Sequence, residues 1–130
     1  MIYSQASSFR GHETIIAETD QRKAEDLPWN PHPKFAGVSL KHLAEGKDTG
    51  GRVSLHHVRI ASGCSIGDHA HAGQVEIHDV LEGDGTCMLA GKEIPYAPGV
   101  MSIMPADTVH RIDAGAGGLL LLATFSPPLV

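Results

Sequence analysis

From Arg52 onward, short apolar runs alternate with polar positions and are punctuated by glycine or proline. Residues 53–60, 65–71, 75–81, 86–89, 100–104, 110–113 and 119–125 each read as a strand: apolar side chains bounded by turn formers suit a half-buried strand, whose side chains alternate with period two. Turn signals at Ser62 with Gly63, at Gly83, Asp84 and Gly85, at Ala90 with Gly91, at Pro98 with Gly99, and over 115–118 recur every eight to twelve residues or so. This spacing predicts an all-β sandwich or barrel. No helical periodicity of useful length follows residue 50.

The first part of the chain is different. Residues 14–17 suit a short strand, and the charged run 20–26 reads as a solvated loop or a single helical turn. Pro28, Pro31 and Pro33 forbid a helix over 27–33 and favour an extended arm. Residues 35–43 then read as a strand, with Val38, Leu40 and His42 sharing one side. The division is an arm over residues 1–34 and a barrel over 35–130.

The length of 130 residues fits one domain. Ten basic against fifteen acidic residues give a net charge of −5, which argues against a nucleic-acid surface. Two cysteines, Cys64 and Cys87, imply no disulfide framework, and reduced thiols are expected. Residues 1–6 show no charged region leading into an apolar run, so no signal peptide is expected. The longest apolar stretch, 119–123, is too short to cross a bilayer as a helix. Together these predict a soluble cytoplasmic protein with no membrane partner.

Nine histidines are many for this length, and their placement changes the picture. His69 and His71 are two apart, so they project from one face of an extended strand. Glu76 can join them from the next strand if Ala72, Gly73 and Gln74 form a tight turn, and His110 follows at a distance. Three imidazoles and one carboxylate suit one divalent transition metal ion: Fe, Mn, Zn, Ni, Co or Cu. On an ion that prefers six ligands they leave places for water, substrate or dioxygen.

The residues around this set resemble the two motifs of the cupin family. Gly63, His69, His71, Glu76 and Gly83 satisfy every fixed position of the first motif; Gly99, Pro105 and His110 fit the second. Asp107 stands where the second motif has a glycine, and Ala114 where it has an asparagine. Both departures concern turn geometry and leave the ligand set intact. The resemblance, to a small single-domain cupin of the cupin-2 type, implies a double-stranded β-helix, or jelly-roll barrel, with the metal held inside. It also implies a homodimer. The arm over 29–35 would suit docking on a partner, and the alternative is that Trp29 covers one end of its own barrel.

His78 lies two residues after Glu76, so on a regular strand it points into the same interior. Near a cation it would be a neutral base or hydrogen-bond donor, the candidate catalytic group; the competing reading is a buried structural histidine. His56 and His57 are adjacent in one strand and must face opposite ways. Phe125 suits a pocket wall, and Cys87 a small buried hydrophobe. His12, His32 and His42 have no partner at ligand spacing. The resemblance leaves two functions open. One is a metal-dependent enzyme on a small oxygen-rich or anionic molecule: dioxygenase, isomerase, decarboxylase or lyase. The other is a non-catalytic small-molecule binder or sensor.

Overall fold

The computed structural model describes residues 10–130. Residues 1–9, which include the segment read for a signal peptide and the start of the expected arm, lie outside the described residues. The first five strands are β1 (Thr14–Ile16), β2 (Gln21–Lys23), β3 (Asn30–Pro31), β4 (Val38–Ala44) and β5 (Ser54–Ile60). There follow β6 (Ser65–His69), β7 (Val75–Leu89), β8 (Lys92–Tyr96), β9 (Met101–Met104) and β10 (His110–Ser126). Among the described residues the only helical pieces are single 3-10 turns at Ala24–Asp26 and Gly46–Asp48. None is long and apolar enough to cross a membrane.

All pairings are antiparallel, and two long strands organise them. The first half of β7 pairs with the second half of β10, flanked by β9 on one side and by β5, β4 and β3 on the other. The second half of β7 pairs with the first half of β10, flanked by β8 and β6. The two long strands thus pass from one layer into the other, as expected of a jelly-roll barrel. The space between the layers is filled from inward positions at period two, among them Val58 and Ile60, Val80, and Leu119, Leu121, Ala123 and Phe125.

The glycines at 83, 85, 115, 117 and 118, expected to end strands, instead bend them. Ala114 pairs with Gly85 and Leu119 with Gly83, so residues 115–118 bulge opposite the single residue Asp84. Asp84 pins the bulge by accepting the Gly117 N–H at 3.2 Å. At Gly83, whose φ is +89°, a Cβ would run into the carbonyl of Gly118. A side chain is excluded where the two backbones approach this closely. The turn expected at Ala90 and Gly91 is present as a two-residue hairpin with both φ angles positive, +49° and +80°.

Two strands escaped the pattern. β8 contains Pro95, tolerated because β8 pairs on one side only, with β7. β2 lies in the charged run, where it pairs with β1, and Ala24–Asp26 supplies the single helical turn. The arm is engaged with its own chain: Asn30 and Pro31 pair with Leu40 and Ser39 of β4. Trp29 lies on the outer face of the sheet, not at the barrel's end, stacked 6.4 Å from the His57 ring with the Arg59 guanidinium 4.0 Å above it. Cys64 and Cys87 are free thiols, and Cys87 is buried in the core as expected.

Asp107 replaces a glycine in a left-handed conformation, φ +64°. Its N–H donates to the His71 carbonyl at 3.0 Å, and its Oδ1 accepts the Gly73 N–H at 3.1 Å, so it ties together the turns on either side of the site. Aspartate tolerates this conformation better than most residues do.

Two stability measurements check these assignments by urea unfolding. Gly83→Ala should cost at least about 2 kcal/mol, from left-handed strain plus overlap with backbone that cannot yield. Asp107→Gly should change stability by less than about 1 kcal/mol, because relief of strain offsets one lost exposed hydrogen bond, whereas Asp107→Val should cost more. A Gly83→Ala protein as stable as the parent would contradict the close approach of β7 and β10.

Candidate metal centre

The convergence expected of His69, His71, Glu76 and His110 is present. His69 ends β6, His71 follows in the turn through Gly73 (φ +65°), Glu76 faces inward from β7, and His110 opens β10 opposite His69. Each offers one ligand atom, and the four atoms lie within 4.8 Å of one another. The Glu76 Oε1 is 3.2 Å from His110 Nε2 and 3.3 Å from His71 Nε2. The His69 and His110 ring centroids are 4.1 Å apart.

Two histidines are oriented through their other nitrogen. His69 Nδ1 donates to the Gly67 carbonyl at 2.8 Å and His110 Nδ1 to the Thr108 carbonyl at 3.2 Å. With Nδ1 carrying the proton, the neutral His69 ring turns its Nε2 lone pair toward the centre, the tautomer that a metal ligand needs, and His110, whose Nε2 bonds to Glu76 Oε1 at 3.2 Å, would offer the same lone pair once that Nε2 proton leaves. Bonds of about 2.0–2.2 Å would set ligands at most about 4.4 Å apart, so the group fits a divalent cation after closing by a few tenths of an ångström.

The electrostatics agree with this arrangement. Burial alone would push the Glu76 carboxyl up, yet His78, His110 and His71 together hold it well below the usual carboxylate range. Burial pushes His69 down, which keeps its Nε2 unprotonated, with the Gly67 carbonyl in partial opposition. His110 goes the other way: burial opposes its charge, but the bonds to Glu76 and to the Thr108 carbonyl raise it above its ordinary value.

His78 points inward, as its spacing from Glu76 predicts, and is 1% exposed. Both its nitrogens are engaged: Nε2 meets Glu76 Oε2 at 2.7 Å and Nδ1 meets the Tyr96 hydroxyl at 2.8 Å. The Tyr96 hydroxyl is bonded in turn to Ser102 Oγ. Glu76 therefore shows one oxygen to the three clustered histidines and the other to a buried polar chain.

The remaining histidines separate cleanly. His56 faces the interior, its Nε2 on Ser54 Oγ at 2.7 Å and its Nδ1 on His42 Nδ1 at 2.8 Å. Burial, reinforced by His42, pushes His56 down to about 4. His57 faces the opposite side of the same strand, where Glu13 meets its Nε2 at 2.9 Å. A cavity of about 80 Å³ lies against the centre, with His32, His69, His71, Glu76, His78 and Phe125 on its wall.

Sequence reasoning missed Tyr96, Ser102, Ser54 and the contributions of His32 and His42. His42 was findable, because it is the cross-strand partner of His56 in the β4–β5 pairing. Tyr96 lies on the strand that Pro95 concealed, and nothing in the spacing pointed to Ser102.

Comparison with known proteins now bears on the same residues. A curated oxalate-binding protein from Thermotoga maritima is 27% identical over 77 residues, which are 58% of this chain; the chain spans 64% of that relative's length. The solved structure of a "predicted oxalate decarboxylase" from T. maritima superposes with a TM-score of 0.73 at 23% identity, over 79% of this chain and 95% of the other. That of ectoine synthase from P. lautus gives 0.65 at 25% identity, over 72% and 67%. The profile of the cupin domain matches residues 56–123, which run from the interior histidine of β5 through both motifs into the second half of β10. The chain belongs to the cupin family.

Proposed function

We propose that this protein is a metal-binding cupin enzyme acting on a small oxygen-rich or anionic molecule, with His69, His71, Glu76 and His110 holding one divalent transition ion. The observation that carries this reading is the aim of the donors. Three imidazoles and one carboxylate oxygen meet at one point, and backbone carbonyls orient the rings of His69 and His110. A bound ion would supply Lewis acidity, polarising an oxygen donor or stabilising a developing anion. The chain supplies the rest: a half-apolar cavity that limits water, and Phe125 packed edge-on against His71 at 5.3 Å.

His78 was expected as a general acid or base. Because its Nε2 is engaged with Glu76, it acts as a positioning residue, holding the carboxylate so that Oε1 faces the centre. Ectoine synthase, similar in fold, is by name an enzyme, which supports a reaction here. The name of the oxalate-binding relative favours the second reading, a non-catalytic binder of small acids on the same centre. A homodimer also stays a proposal: β3 covers the edge of β4 within its own chain and leaves its own outer edge for a second copy.

Elemental analysis of protein purified without chelator should return one transition ion per chain, and any one of the His69→Ala, His71→Ala or His110→Ala changes should largely abolish it while the barrel stays folded. Absence of metal from the parent protein after reconstitution with Fe, Mn, Co, Ni, Cu and Zn in turn sinks the reading. Affinity should weaken as pH falls through the raised value of His110, since the proton that this ring takes up there must leave when a metal binds.

His78→Asn should lower metal affinity by about 10–100-fold and leave turnover at full metal occupancy nearly unchanged. A loss of about 10²–10⁴ in turnover at full occupancy would instead assign His78 to acid–base chemistry. Oxygen uptake during turnover separates a dioxygenase from an isomerase, decarboxylase or lyase, and saturable binding without product selects the binder.

A further inference from the structure

A second hollow, of about 330 Å³, adjoins the cavity at the centre. The two share His32, Leu40 and Leu129 as walls, so they are contiguous. The inner cavity of about 80 Å³ falls short of the about 300–1,000 Å³ usual for ligand pockets, and the outer one does not. Pro31, Pro33, Leu40, Leu129 and Val130 make the outer wall largely apolar; His32 and His42 interrupt it, as does Asn30, whose Nδ2 donates to the Leu40 carbonyl at 3.2 Å.

Both imidazoles are fixed as outward donors. His32 Nδ1 accepts the backbone N–H groups of Lys34 at 3.0 Å and Phe35 at 3.2 Å, so it carries no proton and the neutral ring has its proton on Nε2. For His42 the tautomer is set from the tail of the chain. The Leu129 N–H donates to Ser54 Oγ at 2.8 Å, and the Ser54 hydroxyl is left to donate to His56 Nε2. His56 then has its proton on Nδ1 and donates it to His42 Nδ1, which leaves His42 with its proton on Nε2. Among the described residues neither outward Nε2 has a protein partner, and neither ring is fully buried. No lysine, arginine or carboxylate side chain lines the outer hollow.

We propose that the outer hollow is the far half of the binding site. In it His32 and His42 donate their Nε2–H groups to an oxygen acceptor at the distal end of a ligand whose proximal oxygens meet the His69–His71–Glu76–His110 centre across an apolar spacer of a few carbons. This rests on the reading of that centre as a metal site and adds the shape of its ligand: oxygen at both ends, apolar between. A two-carbon diacid such as oxalate would occupy the inner cavity alone and leave both outer donors unused. The arm thereby acquires a role within its own chain, since the pairing of β3 with β4 and the bond from the His32 N–H to the Val38 carbonyl at 2.8 Å hold His32 at the mouth.

Calorimetric titration of the metal-loaded protein with three acids sharing one oxygen head tests this: pyruvate, with no spacer; 2-oxohexanoate, with an apolar tail; and 2-oxoadipate, of the same length but ending in a carboxylate. The expected order is 2-oxoadipate tightest, about tenfold beyond 2-oxohexanoate, with pyruvate weakest. His32→Asp keeps an acceptor for the Lys34 and Phe35 amides and removes the outward donor; His42→Phe removes the other donor independently. Each should bring the ratio of 2-oxoadipate to 2-oxohexanoate affinity to about one or below. Metal-loaded protein that binds none of the three, or shows no preference for 2-oxoadipate, or keeps the preference in both variants, overturns this proposal alone. Protein that takes up no metal overturns the reading of the centre and this proposal with it.

Discussion

The site depends on the bend that β7 and β10 make together. In the ladder, Glu76 lies opposite Phe125, and His110 lies opposite Leu89. Glu76 and the partner of His110 are thus at opposite ends of a fifteen-residue strand. A flat ladder would separate them by about 40 Å, at about 3.3 Å per residue. In the folded chain the side chains of Glu76 and His110 meet at 3.2 Å. That approach requires both strands to turn from one layer into the other, which they do at Gly83, Gly85 and the 115–118 bulge. The same glycines look like ordinary turn formers in a linear reading, yet they carry the closure of the barrel and hence the centre.

This explains which parts of the molecule were legible beforehand. His69, His71 and Glu76 were readable because short-range spacing on a strand and a tight turn fixes where each side chain points, and His110 was readable through the resemblance of Gly99, Pro105 and His110 to the second cupin motif. The all-β class was readable from spacing in the same way. The continuity of β7 and β10 was not, since a glycine cluster signals a turn and a bend alike, and only the partner strand decides between them. The network behind Glu76 was hidden for another reason. His78, Tyr96 and Ser102 come from three strands, and their meeting is a matter of register across the sheet, which no local pattern encodes.

The N-terminal segment shows how the outer face serves the inner one. Trp29 is clamped between the His57 ring and the Arg59 guanidinium, with the Lys41 ammonium 4.9 Å from its centroid. Lys41 Nζ donates to the Ala24 carbonyl at 2.7 Å, and Glu13 meets His57. The cover is imperfect, because Glu13 Oε1 and His57 Nδ1 are buried with no hydrogen-bond partner among the described residues, a cost of about 1–3 kcal/mol for each. Burial of the Trp29 ring and its cationic contacts offset that cost and fix the chain's path into Asn30 and Pro31. From there His32 is delivered to the cavity wall. A segment that a linear reading leaves open between a partner subunit and its own barrel thus lies against the pocket of its own chain.

Inside the barrel, burial lowers the imidazoles and the Glu76 carboxylate raises them, and the balance between the two differs from one ring to the next. His56, bonded to Ser54 and His42, is neutral, so its share of stability is lost as pH falls from its unfolded value near 6.5 toward about 4. His110, in contact with Glu76, is raised; its share is present below about 6.5 and lost as pH rises through its folded value. Glu76 is depressed, so its share is present above the ordinary carboxylate value and lost as pH falls through its folded one. Positive charge in this interior is therefore favoured around Glu76 Oε1 and disfavoured at His56. A divalent cation and the protons on these imidazoles compete for the same lone pairs, and Glu76 attracts both. The interior polar groups thus concentrate cationic charge where the three clustered histidines converge and leave hydrogen-bonding imidazoles along the path that leads out past His42 and His32.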